Sequence, residues 1–291
     1  MRNETDLDGV KAIAKSLLMT AVNETPYSPM IVQHPFASAG LVALPTDKFE
    51  VFRPIDITLN NENLKRWQDS IMSDIHGSMN RFRSVMSQIN LTAEDSLYVL
   101  GDVIDRGHFG IRVLQELTEM PNVTVLLGNH ELMMLNALTK IAESREELRL
   151  WYQNGGKITH IDYFALEPNE QFAMLQYIRQ MPLTAEVTIN GNPYLMVHGA
   201  PPQLYGQLPS DAENEIEFAV WTRLMPKDMM PFGKTVIFGH TPTAYYQEDI
   251  PLRIWHGGNK IGINCDAGKT HPSCRLACLR LDDMTEFYSE Y

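Results

Sequence analysis

Apolar residues follow two patterns along much of the chain, stripes at helical spacing and short continuous runs, and these patterns predict the elements of the fold. Stripes at the 3.6-residue helical spacing cover residues 82–89 and 113–117. Short apolar runs at 97–100 and 123–127 have the length and composition of buried strands. Strands that alternate with helices indicate βαβ units with parallel pairing.

The second half of the chain is richer in predicted strands than in helices. Residues 143–190 have a mostly helical pattern, and the helices are expected to end near Pro182. Further strands are predicted at 194–197, 235–239, 261–265 and 275–281, with a last short one near 286–289. Together the two halves predict an α/β fold in which a pair of mixed β-sheets is flanked by outer helices.

The first 70 residues do not follow this alternation. One amphipathic helix is predicted around residues 10–18, and a stretch interrupted by prolines follows it. No chemical motif stands out in this part of the chain. We therefore divide the protein into an N-terminal appendage of unassigned function, residues 1–70, and a main domain, residues 71–291.

Charge and composition narrow the possible partners. The formal net charge is -12, from 24 Lys and Arg against 36 Asp and Glu, whereas nucleic-acid binding needs a basic face. No apolar run reaches transmembrane length, so neither nucleic acid nor a membrane is expected as the main partner. Three cysteines without paired metal-ligand spacing are typical of free thiols in a reducing compartment, which predicts a cytoplasmic protein.

Five short polar motifs carry the candidate chemistry. Each follows a predicted strand and contains a glycine, and strand ends in an α/β sheet converge on one edge. The motifs are therefore expected to meet in space. They are Ser-Asp-Ile-His-Gly at 73–77, Gly-Asp-Val-Ile-Asp-Arg-Gly at 101–107, Gly-Asn-His-Glu at 128–131, Val-His-Gly at 197–199 and Gly-His-Thr at 239–241.

These motifs supply a set of metal ligands made of three imidazoles, two carboxylates and one amide. Such a mixture suits manganese, iron or zinc better than calcium, with manganese expected first. The set is too large for one ion, and two ions that share Asp102 account for all of it. A metal pair of this kind lowers the pKa of a shared water and stabilises an oxyanion, as phosphoester hydrolysis requires. The candidate ligands are Asp74, His76, Asp102, Asn129, His198 and His240.

Four other residues fit the same reaction. Arg106 would grip phosphate oxygens through its guanidinium, and Arg223, within Val-Trp-Thr-Arg, would supply a second grip. His130 follows the ligand Asn129 and would protonate the leaving oxygen. Asp105 would hold and charge that imidazole.

In these motifs and their order, the chain resembles the calcineurin-like metallophosphoesterase superfamily, and within it the bacterial and phage branch of the phosphoprotein phosphatase family. The resemblance covers roughly residues 71–291 and implies a four-layer α-β-β-α sandwich. It implies a serine/threonine protein phosphatase whose partner is a phosphorylated protein or peptide. It further implies that one ion is held by Asp74, His76 and Asp102, and the other by Asp102, Asn129, His198 and His240.

Two alternatives remain beside this interpretation. One is a symmetrical dinucleoside tetraphosphate hydrolase or nucleotide phosphodiesterase, although the tetraphosphatases typically carry Ala where this chain has Asp105, and Asp where it has Glu131. The other is a binding module with impaired catalysis. It rests on a first strand that is expected to be truncated, since only Ile71 and Met72 are apolar before Ser73 and the preceding residues 68–70 are polar.

Overall fold

The structure, a computed structural model, describes residues 55–56, 68–139 and 145–290. Most of the predicted appendage, including the helix expected around residues 10–18, lies outside the described residues. The division at residue 70 therefore stays a prediction.

The strands of the described part form two mixed sheets. In chain order they are β1 (Ile55–Asp56), β2 (Asp69–Met72), β3 (Ser96–Val99), β4 (Val123–Val125), β5 (Thr184–Ile189), β6 (Asn192–Val197), β7 (Thr235–Phe238), β8 (Trp255–Gly257), β9 (Lys260–Gly262), β10 (Ala277–Arg280) and β11 (Thr285–Tyr288). One sheet has the order β11-β10-β2-β3-β4 and the other β1-β5-β6-β7-β9-β8. Strands β2, β3 and β4 pair in parallel, as do β6, β7 and β9, and these parallel strands carry the five motifs.

Seven α-helices are described alongside these sheets. They are α1 (Met79–Ile89), α2 (Gly110–Thr118), α3 (Asn129–Thr139), α4 (Arg145–Gln153), α5 (Lys157–Phe164), α6 (Pro168–Gln180) and α7 (Glu215–Trp221). The predicted helices at 82–89 and 113–117 are confirmed as α1 and α2. In the described part of the chain, no helix combines the length and the apolar character needed to cross a bilayer.

Successive residues of one strand belong to two separate apolar clusters. In β3, Leu97 and Val99 share a cluster with helix residues such as Phe82, whereas Tyr98 belongs to a cluster that includes Ile237 of the other sheet. Side chains alternate between the two faces of a strand, so the second cluster lies between the sheets. This arrangement confirms the expected sandwich of two mixed sheets flanked by helices.

The first strand is longer than its apolar residues indicate. The polar residues Asp69 and Ser70 belong to β2, and all four of its residues are buried. It pairs with β3 on one side and β10 on the other. The expectation that this strand is truncated was therefore wrong. Two of its four residues are polar, so a run of apolar residues indicates only half of the strand. β2 also begins two residues before the domain boundary drawn at residue 71.

Three strands and one helix were absent from the sequence prediction, and the shortest of these strands is β1, with two residues. Strand β5 falls in the segment 143–190 that was expected to be mostly helical, although its apolar residues Ala185, Val187 and Ile189 alternate and lie between the sheets. Strand β8 has three residues and helix α7 has seven. Elements this short give too few positions for a period to emerge.

Candidate metal centre

The loops that follow five strands bring the predicted ligands to one place. Asp74 and Asp102 lie just past β2 and β3, whose ends are joined by a hydrogen bond from the Asp74 amide to the Gly101 carbonyl oxygen, at 3.1 Å. Across the sandwich, the Gly239 amide donates to the His198 carbonyl oxygen at 2.9 Å, which joins the ends of β6 and β7. The motifs therefore lie close together in space, as predicted.

Asp102 lies at the centre of two groups of ligand atoms. His76 Nε2 and His130 Nε2 lie 3.7 and 3.8 Å from Asp102 Oδ2, while His198 Nε2 lies 3.4 Å from Asp102 Oδ1. The His76–Asp102–His130 group and the Asp102–His198–His240 group each gather three ligand atoms within 4.8 Å of one another. A carboxylate that faces both groups is what two neighbouring ions would share.

The Asn129 side chain completes the second group. Its Oδ1 lies 3.0 Å from His198 Nε2 and 2.9 Å from His240 Nδ1. One oxygen and two imidazole nitrogens therefore converge on the side of Asp102 away from His76. This is a mixed nitrogen and oxygen set of the kind that transition metals accept.

Two histidines are oriented by main-chain carbonyls. His76 Nδ1 contacts the Ile104 carbonyl oxygen at 3.0 Å, and His198 Nδ1 contacts that of Leu100 at 2.5 Å. Donation through Nδ1 leaves Nε2 with a free lone pair, as in metal-binding histidines. His76 Nε2 is buried and has no hydrogen-bond partner. A cation at this point would satisfy it, so the residues present fit a metal site.

Asp74 is held by donors from three parts of the chain. Its Oδ2 accepts from Ser73 Oγ at 2.6 Å and from the His240 amide at 3.0 Å. Its Oδ1 accepts from Asn264 Nδ2 at 2.7 Å. Asn264 was not among the predicted site residues; it lies 190 positions from its partner, near the end of the strand predicted at 261–265.

Burial opposes the charges that the ligands carry. It raises the pKa of the Asp74 carboxyl to about 7. Burial, with the Glu131 carboxylate nearby, also raises the pKa of Asp102 well above its usual range. Burial lowers the pKa values of His76 and His240 well below the ordinary histidine value. Neutral imidazoles beside buried carboxylates favour a bound cation, because the cation compensates the carboxylate charges.

The Glu131 carboxylate accepts hydrogen bonds from the main chain of the loop that carries Asp102. Its Oε2 accepts from the Asp102 amide at 2.8 Å and from the Gly128 amide at 3.2 Å. Its Oε1 accepts from the amides of Val103 at 2.8 Å and Ile104 at 3.3 Å. The carboxylate is fully buried, and four main-chain N–H groups replace the solvation that it loses.

The main chain at the site adopts conformations that most residues avoid. Asp74, His76, Asp102 and His240 have φ between 48° and 55°, in the left-handed region that costs a non-glycine residue about 1–3 kcal/mol. Gly239 has no room for a side chain, since a Cβ there would lie 2.0 Å from Ser73 Oγ. Such strain is typical of functional sites.

His130 and Asp105 form a buried pair beside the ligands. His130 Nδ1 lies 2.6 Å from Asp105 Oδ2, and both side chains are fully buried. Trp151 Nε1 donates to the same oxygen at 2.9 Å, so this tryptophan also holds the pair. Burial raises the pKa of Asp105 to about 7 and lowers that of His130. Arg106 Nη2 lies 3.0 Å from His130 Nε2.

Arg223 lies at the edge of the site. It is exposed, and its guanidinium carbon lies 5.6 Å above the Tyr245 ring. It lines a cavity of about 390 Å³ together with Trp221, whose ring centroid is 6.0 Å from that of His240. Arg223 is therefore near the metal ligands but outside their hydrogen-bond network. Asp266, in the loop after β9, accepts a hydrogen bond from Lys269 Nζ at 2.8 Å.

This two-sheet sandwich with ligand loops at its strand ends defines the class of metal-dependent phosphoesterases. Residues 71–262 match the calcineurin-like phosphoesterase family, and the chain belongs to that family.

Among curated proteins, this chain is similar to several bis(5'-nucleosyl)-tetraphosphatases of the symmetrical type. It is 35% identical to that of Wigglesworthia glossinidia brevipalpis, over 28% of this chain and 30% of the relative. It is 31% identical to that of Acidovorax ebreus, over 52% of this chain and 51% of the relative. The chain thus spans about half or less of the length of these relatives.

Solved structures share the fold with this chain. A protein described as a diadenosine tetraphosphatase superposes with a TM-score of 0.51 and 18% identity, over 79% of this chain and 95% of the other. A protein serine/threonine phosphatase from Saccharomyces cerevisiae also gives 0.51, with 14% identity, over 82% of this chain and 84% of the other. At these identities the likeness concerns the fold alone, so substrate specificity has to be argued from the site.

Proposed function

We propose that the protein is a metal-dependent phosphomonoesterase that acts on phosphoserine or phosphothreonine in proteins or peptides. The observation that carries this proposal is the buried His130–Asp105 pair, with its 2.6 Å contact, directly beside the shared ligand Asp102. The pair is the proton donor that an ester with a poor leaving group needs.

The ligand assignment takes Asp102 as common to both positions, adds Asp74, whose Oδ1 lies 4.0 Å from His76 Nε2, to the first, and leaves His130 out as the acid. Asp74, His76 and Asp102 would hold one divalent transition metal, and Asp102, Asn129, His198 and His240 would hold the other. Manganese is the metal we propose first, with iron and zinc compatible with the same ligands. When bound, such a pair supplies an activated water and neutralises charge on the phosphoryl oxygens.

The chain's own residues then hold the substrate and move one proton. Arg106, exposed at the mouth of the site, would grip phosphoryl oxygens through a forked pair of hydrogen bonds. With Arg106 turned to the phosphate, His130 Nε2 would face the ester oxygen and give it a proton. The Asp105 carboxylate would stabilise the imidazolium from Nδ1. Arg223 would be a second grip from the edge of the site.

The leaving group decides between the two substrate classes. Hydrolysis of a phosphoserine releases an alkoxide, a very strong base that must be protonated as the bond breaks. Hydrolysis of a dinucleoside tetraphosphate releases a nucleotide phosphate, which is stable as an anion and needs no acid. A buried, oriented acid therefore favours the phosphomonoester.

A symmetrical dinucleoside tetraphosphatase is the second candidate, because the curated relatives carry that name. An impaired binding module has lost its main support, since β2 is complete and paired on both sides. We place the activity in the cytoplasm, which suits three cysteines that are all free and buried.

The test compares substrates in one metal-reconstituted preparation. Manganese-loaded protein would be assayed with a phosphoserine peptide, diadenosine tetraphosphate and p-nitrophenyl phosphate, and kcat/KM would be compared. We expect the peptide to exceed the dinucleotide at least tenfold. A preference for the dinucleotide would assign the second candidate instead, and no turnover of any of the three would overturn both.

A further inference from the structure

The Asn264 amide, in the loop between β9 and β10, joins the ligand loops of both metal positions. We infer that Asn264 is a positioning residue that orients the Asp74 carboxylate toward its metal and fixes the distance between the two ions. The inference rests on the ligand assignment proposed above, and it concerns a residue outside that assignment.

All the polar atoms of the Asn264 side chain are occupied within the site. Nδ2 donates to Asp74 Oδ1 at 2.7 Å and to the His240 carbonyl oxygen at 3.0 Å. Oδ1 accepts from the Asp266 amide at 2.8 Å. Asn264 is buried, so no solvent molecule is available to replace an amide that is removed.

These contacts connect the two metal positions. Asp74 belongs to the proposed first position and His240 to the second, and a single NH₂ group bridges them. The His240 amide also donates to Asp74 Oδ2, so the carboxylate is held at both oxygens. With each oxygen held by a donor, the carboxylate plane cannot rotate freely, and one remaining lone pair of Oδ1 is left for a cation.

An amide suits this position better than other side chains of its size. It donates twice from one end and accepts at the other, which matches one carboxylate, one carbonyl and one N–H group. Leucine has nearly the same shape but no polar atoms, so Asn264→Leu removes the hydrogen bonds while it preserves the volume. Groups that orient metal ligands typically change metal affinity by about 10–100-fold when they are removed.

The test is Mn²⁺ binding to the metal-free full chain, measured by calorimetry, with electron paramagnetic resonance at two equivalents of Mn²⁺. We expect wild type to bind two ions and to show an exchange-coupled signal. Asn264→Leu and the milder Asn264→Ala should bind one of the ions at least tenfold more weakly. Their spectra should change to those of isolated and free Mn²⁺.

Asn259→Ala is the control for loss of an asparagine amide on another loop, because Asn259, which is exposed, donates from Nδ2 to the Met230 carbonyl oxygen at 3.0 Å. Circular dichroism would show that each variant is folded, and Asn264→Ala decides the matter if the leucine variant is not. Two ions bound with unchanged affinity and a coupled signal in Asn264→Ala would overturn the role of Asn264. A wild type that binds no ions would overturn the ligand assignment with it.

Discussion

At the scale of single residues, the site combines candidate metal ligands with side chains that hold those ligands in place. The geometry of His130 is compatible with two roles, a metal ligand and a general acid, which a direct test can separate. Its Nε2 lies 3.8 Å from Asp102 Oδ2 and belongs to one of the groups of possible metal ligands, yet its Nδ1 is held by Asp105 as in an acid–base pair.

Replacing His130 by asparagine should separate these two roles. As a general acid, His130 contributes about 10²–10⁴-fold to the release of a poor leaving group. We therefore expect His130→Asn to reduce kcat on a phosphoserine peptide by that factor, and on p-nitrophenyl phosphate much less, because nitrophenolate leaves without a proton. The measurement is kcat for both substrates at saturating Mn²⁺.

Metal stoichiometry supplies the control for this variant. If His130 is only an acid, the variant binds two Mn²⁺ ions as wild type does. Loss of an ion would make His130 a ligand instead, and equal losses on the two substrates with both ions bound would contradict its role as the acid.

Glu131 should contribute to both folding and metal binding. In Glu131→Gln an NH₂ group replaces one carboxylate oxygen and faces main-chain N–H groups, so at least one buried donor loses its acceptor. We expect the free energy of unfolding to fall by about 1–3 kcal/mol and Mn²⁺ affinity to fall about tenfold or more. Urea denaturation and calorimetry measure the two effects.

Glu116 offers a matched comparison for Glu131, since its carboxylate binds Arg83 and Arg112 at the protein surface. Surface ion pairs contribute about 1 kcal/mol or less, so Glu116→Gln should change neither quantity appreciably. Equal effects of the two substitutions would show that the Glu131 contacts are dispensable.

At the scale of elements, strand β2 shows why part of the fold was predictable from sequence and part was not. Strands such as β3, in which three of the four residues are buried and hydrophobic, were predicted because their composition indicates burial. Strand β2 begins with Asp69 and Ser70, which are buried by the strands on either side. No local pattern records that burial, so the sequence suggested a truncated strand where the sheet has a complete one.

The same distinction separates the ligands from the residues that hold them. Asp74, Asp102 and His240 were predicted because each lies at a strand end, within a short motif that contains a glycine. Asn264 and Trp151 were not predicted as site residues, because their roles depend on contacts with residues far away in the sequence. Asn264 lies 190 positions from Asp74, and Trp151 lies 46 positions from Asp105.

The buried Asp69 in β2 should make stability depend on pH. Burial, with Asp282 and Asp95 nearby, raises its pKa from 3.8 to about 6, and its Oδ1 has no hydrogen-bond partner. A raised pKa in the folded state means that the folded protein binds the proton more tightly. The stability contribution of this group is therefore present below about pH 4 and is lost as pH rises through 6.

Replacing Asp69 by asparagine should remove this dependence. We expect the variant to be more stable than wild type at pH 7.5 by at most about 3 kcal/mol, with the difference disappearing near pH 4. Urea denaturation of both metal-free proteins at several pH values measures the difference, and other carboxylates cancel in it. A constant difference across this range would mean that Asp69 does not titrate as described.

At the scale of the whole molecule, the metal site connects the two sheets. The loops after β2, β3 and β4 belong to one sheet, and those after β6 and β7 belong to the other. Ions bound between Asp102 and His198 or His240 would therefore join the two halves of the sandwich. Metal binding should then stabilise the fold as a whole and not only the loops.

Removing the metals should accordingly lower the melting temperature of the entire domain. A ligand present at 100 times its Kd stabilises a protein by about 2.7 kcal/mol per site, and in a domain of this size that amounts to about 5–10 °C for each site. We expect a chelator that removes both ions to lower the melting temperature by about 10–20 °C and Mn²⁺ to restore it. Ca²⁺ should restore little, because three of the ligands are imidazoles.

Asp102→Asn, which alters the ligand common to both positions, should melt at the same temperature with and without Mn²⁺. An equal response of this variant and wild type to Mn²⁺ would mean that the ions bind elsewhere. If the variant no longer responds to Mn²⁺, the metal-dependent stability of both sheets depends on the one carboxylate between them.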